Sequence, residues 1–71
     1  MAFTEAQLVA QIDPASTGRV MTIIKYMPSA NNVDVYVRGV VAPWAGRARH
    51  VQIPSSQTAA QAWATIKTAM A

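Results

Sequence analysis

The sequence predicts an α+β domain: a three-stranded antiparallel β-meander flanked by an N-terminal and a C-terminal helix, in the order α-β-β-β-α. Three observations carry this reading. A segment near each end opens on the Thr-x-x-Gln spacing of a capping box. Between them lie three runs rich in β-branched and aromatic residues, the composition of strands. The turns joining those runs are far shorter than the dozen or so residues a parallel crossover needs, so neighbours must pair antiparallel. A chain of 71 residues is read as one domain, 1–71.

The first helix starts after Thr4, with Gln7 completing the box, Glu5 suiting the positive end of the helix dipole, and Phe3 and Leu8 spaced as a hydrophobic staple. Leu8, Val9 and Ile12 form its apolar stripe, and Asp13-Pro14 ends it because the residue before proline is pushed out of helical geometry. Residues 14–19, "PASTGR", are expected to form a loop. Residues 20–27, "VMTIIKYM", read as a strand with apolar groups on both faces, either central in the sheet or covered on both sides. If both faces are buried, the second covering layer must come from another chain. Residues 28–32, "PSANN", turn the chain. In "VDVYVRGVV", residues 33–41, Val33, Val35 and Val37 alternate with Asp34, Tyr36 and Arg38, so the valines are expected to take the helices and Gly39 to mark a bulge. After a turn at residues 43–46, residues 47–53, "RARHVQI", make the third strand, closed by Pro54. Ser55, Ser56 or Thr58 then caps the second helix, Thr58 with Gln61 repeating the capping-box spacing, with Ala59, Trp63, Ile66 and Met70 on one face, Ala62 and Ala69 permitting close approach, and Lys67 suiting its C-terminal end.

Composition narrows the function. Of 37 apolar residues 14 are alanine, and charged residues are only 13% of the chain, against about 25% in an average domain. A small domain that wets its surface so weakly suits being covered by other protein. It has no cysteine to staple its core, and domains of this size often draw extra stability from disulfides, metals or oligomerisation. A single His and three scattered acids, Glu5, Asp13 and Asp34, offer no metal cage and no converging carboxylate pair. The three glycines are isolated, so there is no phosphate-cradling loop, and no cofactor or small-molecule substrate is expected. A net charge of +3 is modest for a dedicated nucleic-acid module, which relies on phosphate contacts. No segment approaches the roughly 20 apolar residues of a membrane span, and the N-terminus lacks the basic region of a signal peptide. The expected setting is a cytoplasm, or a virion packaged from one.

His50 is the one side chain suited to general-base work. The strand reading sets it beside Arg49 and Val51 with Arg38 across the hairpin, and guanidinium groups do not orient a base. It is therefore read as a surface histidine, and the chain as not an enzyme. The outer sheet face is the stronger prospect: Tyr36 and Arg38 share it, joined by His50 or Arg49, and such aromatic and basic groups can hold nucleic acid or protein. Trp44, flanked by Arg47 and Arg49, reads as a protruding anchor for a partner or as a lid folded over the core. Trp63 reads as core.

The element order and length resemble the double-stranded-RNA-binding domain. That family holds phosphates with lysines at the start of its second helix, where this chain has Ser56, Gln57, Thr58, Ala59, Ala60 and Gln61 without a positive charge. The last three strands and helix are also similar to DNA readers that lay a three-stranded sheet in the major groove. That similarity would make Arg38, Arg47 and Arg49 the readers. Topology alone carries neither function.

The expected function is that of a non-enzymatic structural or accessory protein, a homo-oligomer or a subunit of a larger assembly, with a phage virion or capsid-associated decoration or cement component as the instance its composition suggests. The second reading is a small nucleic-acid-binding module using the outer sheet face and the Arg47/Arg49 hairpin. A third is a small protein inhibitor of a host enzyme. The partner-binding residues expected throughout are Trp44, Arg47, Arg49, Tyr36, Arg38 and His50.

Overall fold

A computed structural model describes residues 3–13 and 20–71. The expected loop at 14–19 lies outside these. The order is α1 (Glu5–Ile12), β1 (Met21–Pro28), β2 (Asn32–Gly39), β3 (Ala48–Pro54) and α2 (Ala59–Met70), with the strands in an antiparallel sheet ordered β1-β2-β3. This is the α-β-β-β-α layout expected from the sequence.

Both helices begin as their capping boxes require. Thr4 and Thr58 each accept the N–H of the third helical residue, and Gln7 and Gln61 reach back to the cap N–H at 2.9 Å. At the other end of α2, the Arg47 guanidinium donates to the Met70 carbonyl at 2.9 Å, satisfying an acceptor the helix leaves open.

The core lies between one sheet face and the two helices. Val33, Val35 and Val37 of β2 and Val51 and Ile53 of β3 are buried with Leu8, Ile12, Ala62, Ile66 and Met70. Phe3 is buried beside α1 and meets Tyr26 edge-on at 6.3 Å, tying the start of α1 to β1. Burial of the Tyr26 phenol, with the Glu5 carboxylate adding to it, raises its pKa above the usual 10.0. On α2 the deeply buried residues are Ala62, Ile66 and Met70, while Ala59 and Trp63 pack against the core only in part.

β1 resolves its two-faced apolar pattern with a bulge. The pairing runs Met21↔Gly39, Thr22↔Arg38, Ile23↔Val37 and then Lys25↔Tyr36, leaving Ile24 as the extra residue. Met21, Ile23 and Tyr26 therefore all face the helices, while Thr22, Lys25 and Met27 face outward. The bulge expected at Gly39 is thus in β1 instead. Gly39 is small for another reason: a Cβ there would meet the Trp44 carbonyl oxygen at 1.9 Å, so the β2–β3 connection folds directly against it. The strand expected to run through Val41 ends at Gly39, where this connection begins. It contains a cis Ala42-Pro43 bond and a left-handed Gly46 (φ 81°). Among the described residues no helix is long and apolar enough to cross a membrane.

Candidate functional site

The sheet has a second face, and no element of the described chain covers it. β2 contributes Asp34, Tyr36 and Arg38 to it, and the register with β3 (Asp34↔Gln52, Tyr36↔His50, Arg38↔Ala48) adds the residues opposite. From β1 come Thr22, Lys25 and Met27, with the bulged Ile24 beside them.

This face carries the largest exposed apolar side chains. Ile24 is 60% exposed, Met27 38% and Tyr36 38%; Val40 (49%) continues the alternation just past β2, and Val41 (43%) follows it. Thr22, Ile24, Arg38, Val40 and Gly46 line one shallow depression at this end of the sheet. No other large hydrophobic residue among those described is comparably exposed. Isolated exposed apolar residues are ordinary, but a contiguous group on one surface marks a contact area.

At the centre of the face the His50 ring lies against Tyr36, with centroids 4.7 Å apart and planes 17° from parallel. His50 Nε2 stands 2.9 Å from Asp34 Oδ1. A carboxylate can only accept, so this ring nitrogen carries the proton in the pair. The expectation that Arg38 lies across the hairpin from His50 is corrected by the register, which puts Tyr36 there. Arg38 pairs with Ala48, and Arg49 sits opposite Val37 on the helix side of the sheet. The pair orients an imidazole, but among the described residues no hydroxyl is hydrogen-bonded to it. It therefore holds the surface together and has no activated nucleophile beside it. Nor is there a group of three or more His, Cys, Asp or Glu residues placed to hold a metal ion among the described residues.

The structure brings together only some of the residues singled out by sequence. Tyr36, Arg38 and His50 share the outer face. Arg49 is exposed but leaves from the opposite side. Arg47 is committed to the end of α2. Trp44 is half-buried and packs toward Trp63, with centroids 6.2 Å apart, while the Lys67 ammonium lies 5.2 Å from the centre of the Trp63 ring. The indole therefore takes the lid position of the two foreseen. What sequence reasoning missed is Asp34, Ile24, Met27 and Val40. Alternation already placed Asp34 beside Tyr36, and a register would have added His50. The outward turn of Ile24 needed the bulge.

No family model, curated protein or solved structure matches this chain.

Proposed function

We propose that this chain is a non-enzymatic subunit of a larger protein assembly and docks through the outer face of its sheet. The observation that carries this is the gathering of Ile24, Met27, Tyr36 and Val40 on the one sheet face its own helices leave open. A stable pairwise interface buries about 800 Å² of accessible surface per partner, so surface flanking the three short strands would join the contact. A decoration or cement component of a phage virion is the instance that the cysteine-free, charge-poor composition suggests. The measurement is sedimentation equilibrium of the isolated protein over a range of concentrations. Association beyond the 7.6 kDa monomer is expected, and a strict monomer at the highest concentration contradicts the reading.

Nucleic acid is the second reading, favoured by one arrangement. Lys25 pairs with Tyr36 across the strands and Arg38 follows two residues later, so cations flank a stacked aromatic pair. Fluorescence anisotropy with single-stranded and duplex oligonucleotides at two salt concentrations separates the readings. Binding that weakens with salt and is lost in Lys25→Ala/Arg38→Ala supports this one.

A further inference from the structure

β3 is an edge strand, and its open side runs beside α2. The Gly39 N–H donates to the Arg47 carbonyl and the Ser55 N–H to the Asn31 carbonyl, one at each end of the β2–β3 pairing. Hydrogen-bonded and non-bonded pairs alternate along an antiparallel ladder. Arg49, Val51 and Ile53 therefore direct their backbone groups to β2, while Ala48, His50 and Gln52 direct theirs outward. The other edge, β1, is interrupted by the bulge at Ile24, a feature that discourages further pairing. β3 has no such interruption; its register with β2 runs unshifted from Asn32↔Pro54 to Arg38↔Ala48.

The surface next to this edge is shaped for a narrow guest. Val51, Gln52, Ala64, Thr65, Thr68 and Ala69 line an open groove between β3 and α2. The helix wall, Ala64, Thr65, Thr68 and Ala69, is small and uncharged. Arg49 stands at the end of β3 near the α2 terminus. It is exposed on the helix side, and no carboxylate of the described residues pairs with it. A charge pointing to the covered side of an edge strand repels an apolar strand. For a second copy of this chain, the register that sets Arg49 against its own counterpart is likewise repulsive. A strand with a carboxylate at that place converts the obstacle into a cross-strand pair.

We propose that the β3 edge takes an extended acidic segment of a partner protein as a fourth, antiparallel strand. A small apolar residue lies opposite Val51, in the α2 groove, and two residues later in the guest a carboxylate lies opposite Arg49. Main-chain bonds to Ala48, His50 and Gln52 hold the segment, and the Arg49 pair selects it. This site is separate from the outer face and does not depend on it.

The probe is an acetylated, amidated heptapeptide, Thr-Val-Thr-Val-Thr-Glu-Thr, titrated against the ¹⁵N-labelled full chain. Its fourth residue aligns with Val51 and its sixth with Arg49. Amide exchange at His50 and Gln52 is expected to slow at least tenfold at saturation. Replacing the Glu by Lys should weaken binding at least threefold, and Arg49→Glu, an exposed change, should reverse that preference. N-methylation of the fifth residue, which faces His50, should abolish binding. Three results overturn the proposal: no slowing at millimolar peptide, an unchanged preference in Arg49→Glu, or concentration-dependent protection of the same amides without peptide. The last would give the edge to a second copy. The first two leave the outer-face reading untouched, and the third would give the edge a share in any self-association.

Discussion

Gly39 shows how a single residue can be read correctly as special and wrongly in kind. A glycine inside an alternating strand signals either a bulge or a close approach, and sequence alone does not separate them. Here the Trp44 carbonyl occupies the space of a side chain. Backbone cannot swing aside as a side-chain tip can, so Gly39→Ala should destabilise the fold by about 1–3 kcal/mol, the usual cost of overpacking. Thermal unfolding followed by circular dichroism would read this as a fall in Tm of at least about 4 °C. Tyr26 offers a second check. Its phenol is held neutral by burial and by Glu5, so its folded pKa lies above the unfolded value. Stability from this group is complete below pH 10 and is lost as pH rises through the raised folded value. Titration followed at the tyrosinate absorbance band should show one phenol ionising later than a free tyrosine, and Tyr26→Phe should remove that step. Tyr36 and Arg38 were legible as neighbours from alternation along β2. The Asp34–His50 pair was not, because it depends on the register between two strands.

Among the elements, the helices were the most legible. Their start signals are chemical groups at fixed spacing, Thr4 with Gln7 and Thr58 with Gln61, and the bonds those groups make in the structure are the ones the spacing implies. Thr58→Ala should cost about 1 kcal/mol, measured by urea unfolding, with little change in the denaturant slope. β1 was the least legible. Its apolar residues fit neither face of a regular strand, and the physical answer is the extra residue at Ile24. A bulge has no sharp sequence signature when its residue is not glycine, which explains why the pattern suggested a strand covered on both sides. The connection between β2 and β3 is wider than expected, residues 40–47 rather than 43–46, and its side chains turn inward: Trp44 onto Trp63 and Arg47 onto the Met70 carbonyl. Arg47→Ala should therefore destabilise by about 0.5–1.5 kcal/mol, the net value of one hydrogen bond, a loss that a purely partner-binding arginine would not show in the isolated protein.

Among the described residues the molecule is two layers, a sheet and a pair of helices on one of its faces. The helices close one face of the sheet around Ile66, Val35 and Leu8, and that single small core carries the fold. Ile66→Ala should cost about 2–5 kcal/mol, enough to unfold a large fraction of a domain this small. The other face is left with exposed Ile24, Met27, Tyr36 and Val40 beside Lys25, Arg38 and the Asp34–His50 pair. Low charge in the composition suggested a surface for a partner, but only the register and the bulge show which side chains the open face carries. The most direct test compares the wild-type chain with the double variant Ile24→Glu/Val40→Glu by size-exclusion chromatography with light scattering at matched concentration. Both positions are exposed, so the variant should keep its circular dichroism spectrum and its Tm within a few degrees. The account predicts that the wild type associates and the variant runs as a monomer. A folded variant that associates as the wild type does would contradict it.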